Sequence, residues 1–239
     1  MIAILRGMLA PSALLAVRFR SLLAVRFRYL LLPLALAAPL ALVALTSCSI
    51  LPKREPTAIY EPARVTQTAQ ADWPSANWSL LVARPTASQL YETDRITVRP
   101  APGALQVYKG ASWSDLVPNL LQTALVRSFE DSQKIMTVAR PGGAVRGEYQ
   151  LMTEVRSFDS VYVQAGQPQA VVEVHVKLIH SMDGEVVAAR TFKEAEPSRG
   201  EELGAVVDAF SRSLDRISIQ VVGWTLSNGS RHAAASKAR

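Results

Sequence analysis

The chain has one cysteine, three histidines and no acidic residue before Glu55 in its 239 residues. A lone thiol excludes an internal disulfide, and no metal-ligand spacing includes Cys48. His175 and His180 fall on one alternating segment, and His232 lies in a small, polar carboxyl-terminal stretch. They are expected to be solvated, because a pair five residues apart across a strand end is poor metal geometry. Gly-x-Ser-x-Gly, His-Glu-x-x-His and phosphate-cradling glycine patterns are all missing. Gly142-Gly143 follows a proline and reads as a turn, Glu201-Glu202 as the first turn of a helix, and Glu194 and Glu196 as a solvated strand face. After Cys48 no apolar run approaches the roughly 20 residues of a membrane span. Nothing in these residues argues for catalysis, and the chain is read as not an enzyme.

What is present begins at the amino end. Residues 1–29 carry Arg6, Arg18, Arg20, Arg26 and Arg28 without an acid, and residues 30–45 are uncharged. Pro33 and Pro39 interrupt that apolar stretch, which is too short for a span. It runs into Leu45-Thr46-Ser47-Cys48, the pattern at which bacterial lipoprotein signals are cut. Residues 1–47 are therefore expected to be a signal peptide, with Leu45, Thr46 and Ser47 read by the peptidase. Cys48 is expected to carry a diacylglyceryl group on sulfur and an acyl chain on its amino group, with no other cofactor. One chain holds a protein to a bilayer marginally, whereas several hold it durably. Ser49 stands where an aspartate would retain the protein in the inner membrane, which predicts the periplasmic face of the outer membrane. The run Leu-Leu-Ala-Val-Arg-Phe-Arg at 14–20 repeats at 22–28, read as a duplication in a segment that is cut away.

The formal charge of +6 belongs to the leader: without its five arginines, 21 basic residues face 20 acidic ones. That near-neutrality removes the electrostatic argument for a nucleic-acid partner, which would need a clustered basic surface. Residues 48–76, punctuated by Pro52, Pro56, Pro62 and Pro74, read as a lipidated tether. Residues 77–226 read as one domain, and residues 227–239 as a disordered polar tail.

Within the domain, strands are expected at Trp78–Ala83, Arg95–Arg99, Leu105–Tyr108 and Ile135–Ala139. Tyr149, Leu151, Thr153 and Val155 share one strand face; Val172, Val174, Val176 and Leu178 share another, opposite Glu173, His175 and Lys177. Asp183-Gly184 predicts a hairpin returning through Val186 to Phe192. Val117, Leu120, Leu121, Ala124, Leu125 and Phe129 predict a helix opened by Trp113, with Pro118 in its first turn. A second stripe runs from Leu203 through Val206, Val207, Phe210, Leu214, Ile217 and Val221, with Ser198 and Glu201 as its capping box and Trp224 closing it. Trp73, Trp78, Trp113 and Trp224 read as core rim in preference to a carbohydrate or lipid platform. Together these predict an α+β domain: a mostly antiparallel, twisted sheet with two long helices packed on one face.

In this order the pieces resemble the ABC-type transport auxiliary lipoprotein family. They are Arg95-Ile96-Thr97-Val98-Arg99-Pro100, Leu105-Gln106-Val107-Tyr108, Trp113 leading into Val117-Pro118-Asn119-Leu120-Leu121-Gln122, Tyr149-Gln150-Leu151 with Val155 and Phe158, the strand from Ala170 to Ile179, and Phe210 running to Val221-Val222-Gly223-Trp224. The resemblance implies a non-catalytic partner of an MCE-type intermembrane lipid transporter. It would work beside an MCE-domain substrate-binding protein, an ABC permease and an ATPase, with a second copy of the chain as a further candidate partner. The competing reading is an outer-membrane lipoprotein that binds and activates a cell-wall synthase. An exported hydrolase would require a convergent titratable cluster in a deep pocket.

Overall fold

A computed structural model describes residues 56–63, 70, 72–163 and 166–238. The expected signal peptide, its recognition residues Leu45, Thr46 and Ser47, the lipidation site Cys48 and the sorting residue Ser49 lie outside the described residues. In chain order the elements are β1 (Ala58–Tyr60), β2 (Ala76–Val82), β3 (Thr86–Ala87), β4 (Arg95–Arg99), β5 (Gln106–Trp113), α1 (Val117–Ser132), β6 (Ile135–Ala139), β7 (Tyr149–Tyr162), β8 (Pro168–His180), β9 (Val186–Pro197) and α2 (Leu203–Lys237).

The fold is α+β, built on β7. On one edge β7 pairs antiparallel with β8 from Tyr149↔His180 to Tyr162↔Pro168, and β8 pairs antiparallel with β9. Its other edge takes three strands in succession, β2 at Tyr149, β3 at Glu154 and β4 at Asp159, all parallel. β6 extends β2, and β5 then β1 extend β4. The sheet is thus mixed: the long meander is antiparallel as expected, whereas the strands docked on its flank run parallel and were not legible from alternation. Parallel pairs need crossover connections. Here α1 crosses between β5 and β6, and the segments before β7 supply the rest.

The core follows the two periods. Val172, Val174, Val176 and Leu178 are fully buried, as are Val206, Phe210, Ile217, Val221 and Leu226 of α2. α2 packs on β8 and β9, while α1 packs on β2, β6 and α2. Trp113, Phe158 and Phe210 form a three-ring centre, with centroids 5.7, 5.1 and 4.8 Å apart. Such contacts add about 0.5–1.5 kcal/mol per pair to simple burial.

Several expectations need correction. Trp113 ends β5 and does not open a helix; α1 starts four residues later, where Asp115 accepts from the Leu116 N–H and from Asn119. Ser198 and Glu201 make no capping box. The Ser198 N–H still donates to Pro168 O, as part of the sheet, and its hydroxyl donates to Gly200 O. α2 therefore begins only at Leu203. Trp224 does not end that helix, and residues 227–237 are no disordered tail: α2 continues to Lys237 with Leu226 and Gly229 buried. Glycine makes this possible, because a Cβ on Gly223 would lie 2.6 Å from the Trp73 indole, and one on Gly229 2.5 Å from Trp78. The expected tether is likewise shorter than 48–76. β1 pairs parallel with β5, and the Ala63 N–H donates to Ser211 Oγ of α2 at 2.8 Å.

Candidate functional site

The longest open feature of the sheet is the outer edge of β9. Among the described residues this strand of 12 residues pairs only with β8, so half its main-chain donors and acceptors face outward. Its sequence explains both its order and its accessibility. Phe192 is buried against Trp224, 5.7 Å between centroids, and Arg190 lies 4.9 Å over the Phe192 ring. Glu194 accepts from Gln220, and Glu196 holds Arg216 at 2.7 Å and Arg212 at 3.6 Å. Glu196 is thus a buried clamp to α2, not the solvated residue expected. The first third, Val186-Val187-Ala188-Ala189, carries no charge. Its Val186 is 52% accessible, and Met182 in the preceding turn 88%. An edge without charge is the kind that accepts another strand.

Next to that edge lies a polar sheet surface. Lys193 pairs with Glu173 at 3.1 Å and Arg156 with Glu154 at 3.5 Å; Thr191 accepts from Arg156 and hydrogen-bonds His175 at 3.0 Å. Exposed pairs of this type contribute little stability, typically below about 1 kcal/mol. They leave a charged, wettable surface whose pairing can be exchanged for a partner's.

Two polar clusters were missed from sequence. Asp159 is fully buried on β7, and its Oδ2 accepts from Tyr91 and Ser157 at 2.7 Å each and from Arg99 at 3.0 Å. Its Oδ1 has no partner. Burial, then the hydrogen bond to Asp159, pushes the Tyr91 phenol above its usual range. The second cluster joins the strand end to the far turn of α2: Tyr149 Oη lies 2.8 Å from His232 Nδ1, and the His180 and His232 rings are 5.1 Å apart. His180 Nδ1 lies 3.0 Å from Asp183. The Glu185 N–H, and secondarily His180, hold the Asp183 carboxyl below its ordinary value. His180 and His232 are therefore brought together, while His175 stays apart on the polar surface. The signal was hidden because residue 232 fell in an expected tail.

Among the described residues, no group of three His, Cys, Asp or Glu side chains could hold a metal ion. Both clusters are knotted into packing, Tyr149 edge-on to Trp78 at 4.8 Å and Asp159 beneath Arg99, and neither sets a nucleophile beside a base in an open cleft. The cleft between α1 and α2 is crossed by Glu61, Pro62 and Ala63 and lined by Leu120, Arg127 and Ser211. The interior beneath it is closed, with Leu121, Leu125, Phe129 and Phe210 wholly inaccessible. Three of the four tryptophans (Trp73, Trp78 and Trp113) are buried core residues, and Trp224 packs on Phe192.

Residues 61–222 match the family model described as the ABC-type transport auxiliary lipoprotein component. A solved protein from Xanthomonas campestris is 42% identical, with a TM-score of 0.70 over 74% of this chain and 99% of that one. A second solved structure, of an uncharacterized protein, shares the fold at 14% identity and a TM-score of 0.56, over 70% of this chain and 97% of its own. An uncharacterized protein of Bradyrhizobium diazoefficiens is 28% identical over 148 residues, 62% of this chain. The match spans only 39% of that relative's length.

Proposed function

The chain belongs to the ABC-type transport auxiliary lipoprotein family, and from that premise we propose that it is a non-catalytic docking module of an MCE-type transporter moving lipids or hydrophobic compounds between membranes. Cys48 carries the acyl chains, and Ser49 sends the protein to the periplasmic face of the outer membrane. The domain presents itself to an MCE-domain substrate-binding protein served by an ABC permease and ATPase. Tethering raises its local concentration at that partner without new contacts. In this reading the two helices share one face of a twisted sheet, leaving the charged face and the β9 edge open. The observation that carries the proposal is the unpaired β9 edge, clamped from behind by Glu196 and Phe192 and uncharged over Val186–Ala189. A rigid edge loses little entropy when a partner strand adds to it.

The test is a photo-crosslinking residue at exposed Thr191 or Ala189 in living cells, followed by identification of the captured protein. Capture of the MCE-domain protein supports the proposal. Capture of a cell-wall synthase supports the competing reading and overturns this one.

A further inference from the structure

We infer that the β1–β5 corner of the domain is a membrane-contacting surface, with Ile59, Leu105 and Val107 seated among the phospholipid headgroups. The inference rests on acylation of Cys48, proposed above, and adds an orientation to it. Nine residues separate Cys48 from Ala58, where β1 is already paired with Ala111 of β5. Fully extended, they reach at most about 35 Å, against about 90 Å or more if all of residues 49–76 were free. The domain is longer than that reach, since α2 with its 35 residues alone runs about 52 Å. The anchor therefore leaves the corner where it enters closer to the bilayer than any remote surface.

The corner has a surface fitted to that position. Among the described residues β1 pairs parallel with β5 only at Ala111–Trp113, and Thr57, where the chain enters, lines the same hollow as Gly110. Ile59 is 71% exposed, Leu105 43% and Val107 42%. Ile59 and Val107 line one shallow hollow with Arg95 and Lys109, and with Asp94 as its one acid. Ile59 and Val107 beside Arg95, with exposed Leu105 two residues before Val107, suit a lipid–water boundary, where apolar groups enter the acyl region and a cation meets phosphate. The uncharged Val186 end of the β9 edge lies at the opposite end. Val107 pairs with Thr97, which pairs with Asp159, whereas the turn holding Met182 follows His180, the partner of Tyr149. Ten residues of β7 separate those registers, about 33 Å. A bilayer touching the β5 corner thus leaves the Val186 end of the β9 edge facing the periplasm.

The experiment uses lipidated protein reconstituted into phosphatidylethanolamine–phosphatidylglycerol vesicles. Because Cys48 is the only cysteine, Val107→Cys or Met182→Cys supplies the single free thiol for an environment-sensitive fluorophore. The label at residue 107 should shift to the blue and be quenched severalfold more by headgroup-proximal spin-labelled lipid than the label at residue 182. Ile59→Glu should cut the quenching at residue 107 at least twofold, while the protein still floats with the vesicles. Equal quenching at both positions in protein that floats would overturn the orientation and leave the anchor intact. Protein that neither floats nor carries an acyl mass would overturn the anchor, and this inference with it.

Discussion

Gly229 and Gly204 sit in the same helix, yet alanine should act on them with opposite sign. A glycine inside a helix costs up to about 1 kcal/mol relative to alanine, so Gly→Ala normally stabilises. At Gly204, the second residue of α2, a Cβ meets nothing within 4 Å, so Gly204→Ala should gain up to about 0.5 kcal/mol. At Gly229 the new carbon would lie 2.5, 2.9 and 3.0 Å from three atoms of the Trp78 indole. That ring cannot swing away easily. It is buried, packs edge-on to Tyr149 at 4.8 Å, and its Nε1–H donates to Ser230. Overpacking of this kind costs about 1–3 kcal/mol, which exceeds the helix gain and leaves a net loss of about 1–2 kcal/mol. In a domain of this length that is a fall of roughly 2–8 °C in Tm, against a rise of about 1–2 °C for Gly204→Ala. Thermal melts followed by circular dichroism read both. Trp78→Phe, which removes the closest ring atoms, should relieve part of the Gly229→Ala loss in a double-mutant cycle. A Gly229→Ala protein melting at or above wild type would mean that the last third of α2 is not docked on Trp78.

Asp159→Asn should lower stability by about 2 kcal/mol, because Arg99 loses its charge partner and the new amide N–H2, set where Oδ1 has no partner, is buried without an acceptor; a Tm within 1 °C of wild type would refute this. Burial raises the phenols of Tyr91, Tyr108 and Tyr149, so the stability they contribute is complete below the unfolded value of about 10 and is lost as pH rises through their folded values. Tm should therefore fall above about pH 10, with phenolate absorbance near 295 nm rising as the domain unfolds; reversible ionisation at an unchanged Tm would contradict it. Phe210→Asp should abolish the cooperative melt, since a lone carboxylate would replace the ring stacked on Phe158.

The β8 strand and the first half of α2 were legible because burial on one side writes itself as a period of 2 or 3.6. Val172 to Leu178 and Val206 to Val221 show it without interruption. Where apolar residues do not carry the contact, the pattern is silent. Ser227, Asn228, Gly229 and Ser230 look like a tail, yet the missing side chain at Gly229 is what admits Trp78 and lets the helix continue. β1 was missed because three residues joined by main-chain bonds leave no alternation to read. Asp159 and Glu196 looked like any other acids, since their burial depends on Tyr91, Arg99, Arg212 and Arg216 arriving from elsewhere in the chain. The His180–His232 contact was lost with the tail that held one member. The open β9 edge follows only from strand order, which hydrophobic patterning does not encode.

Whether a lipid-held docking module is the right description turns first on Cys48. Intact-mass spectrometry of protein taken from membranes should give the chain from Cys48 onward plus a diacylglyceryl group and one further acyl chain, and Cys48→Ser should abolish that species and release the domain from the membrane. Recovery of an unacylated polypeptide, or of a Cys48→Ser variant that fractionates as the wild type does, would contradict the account.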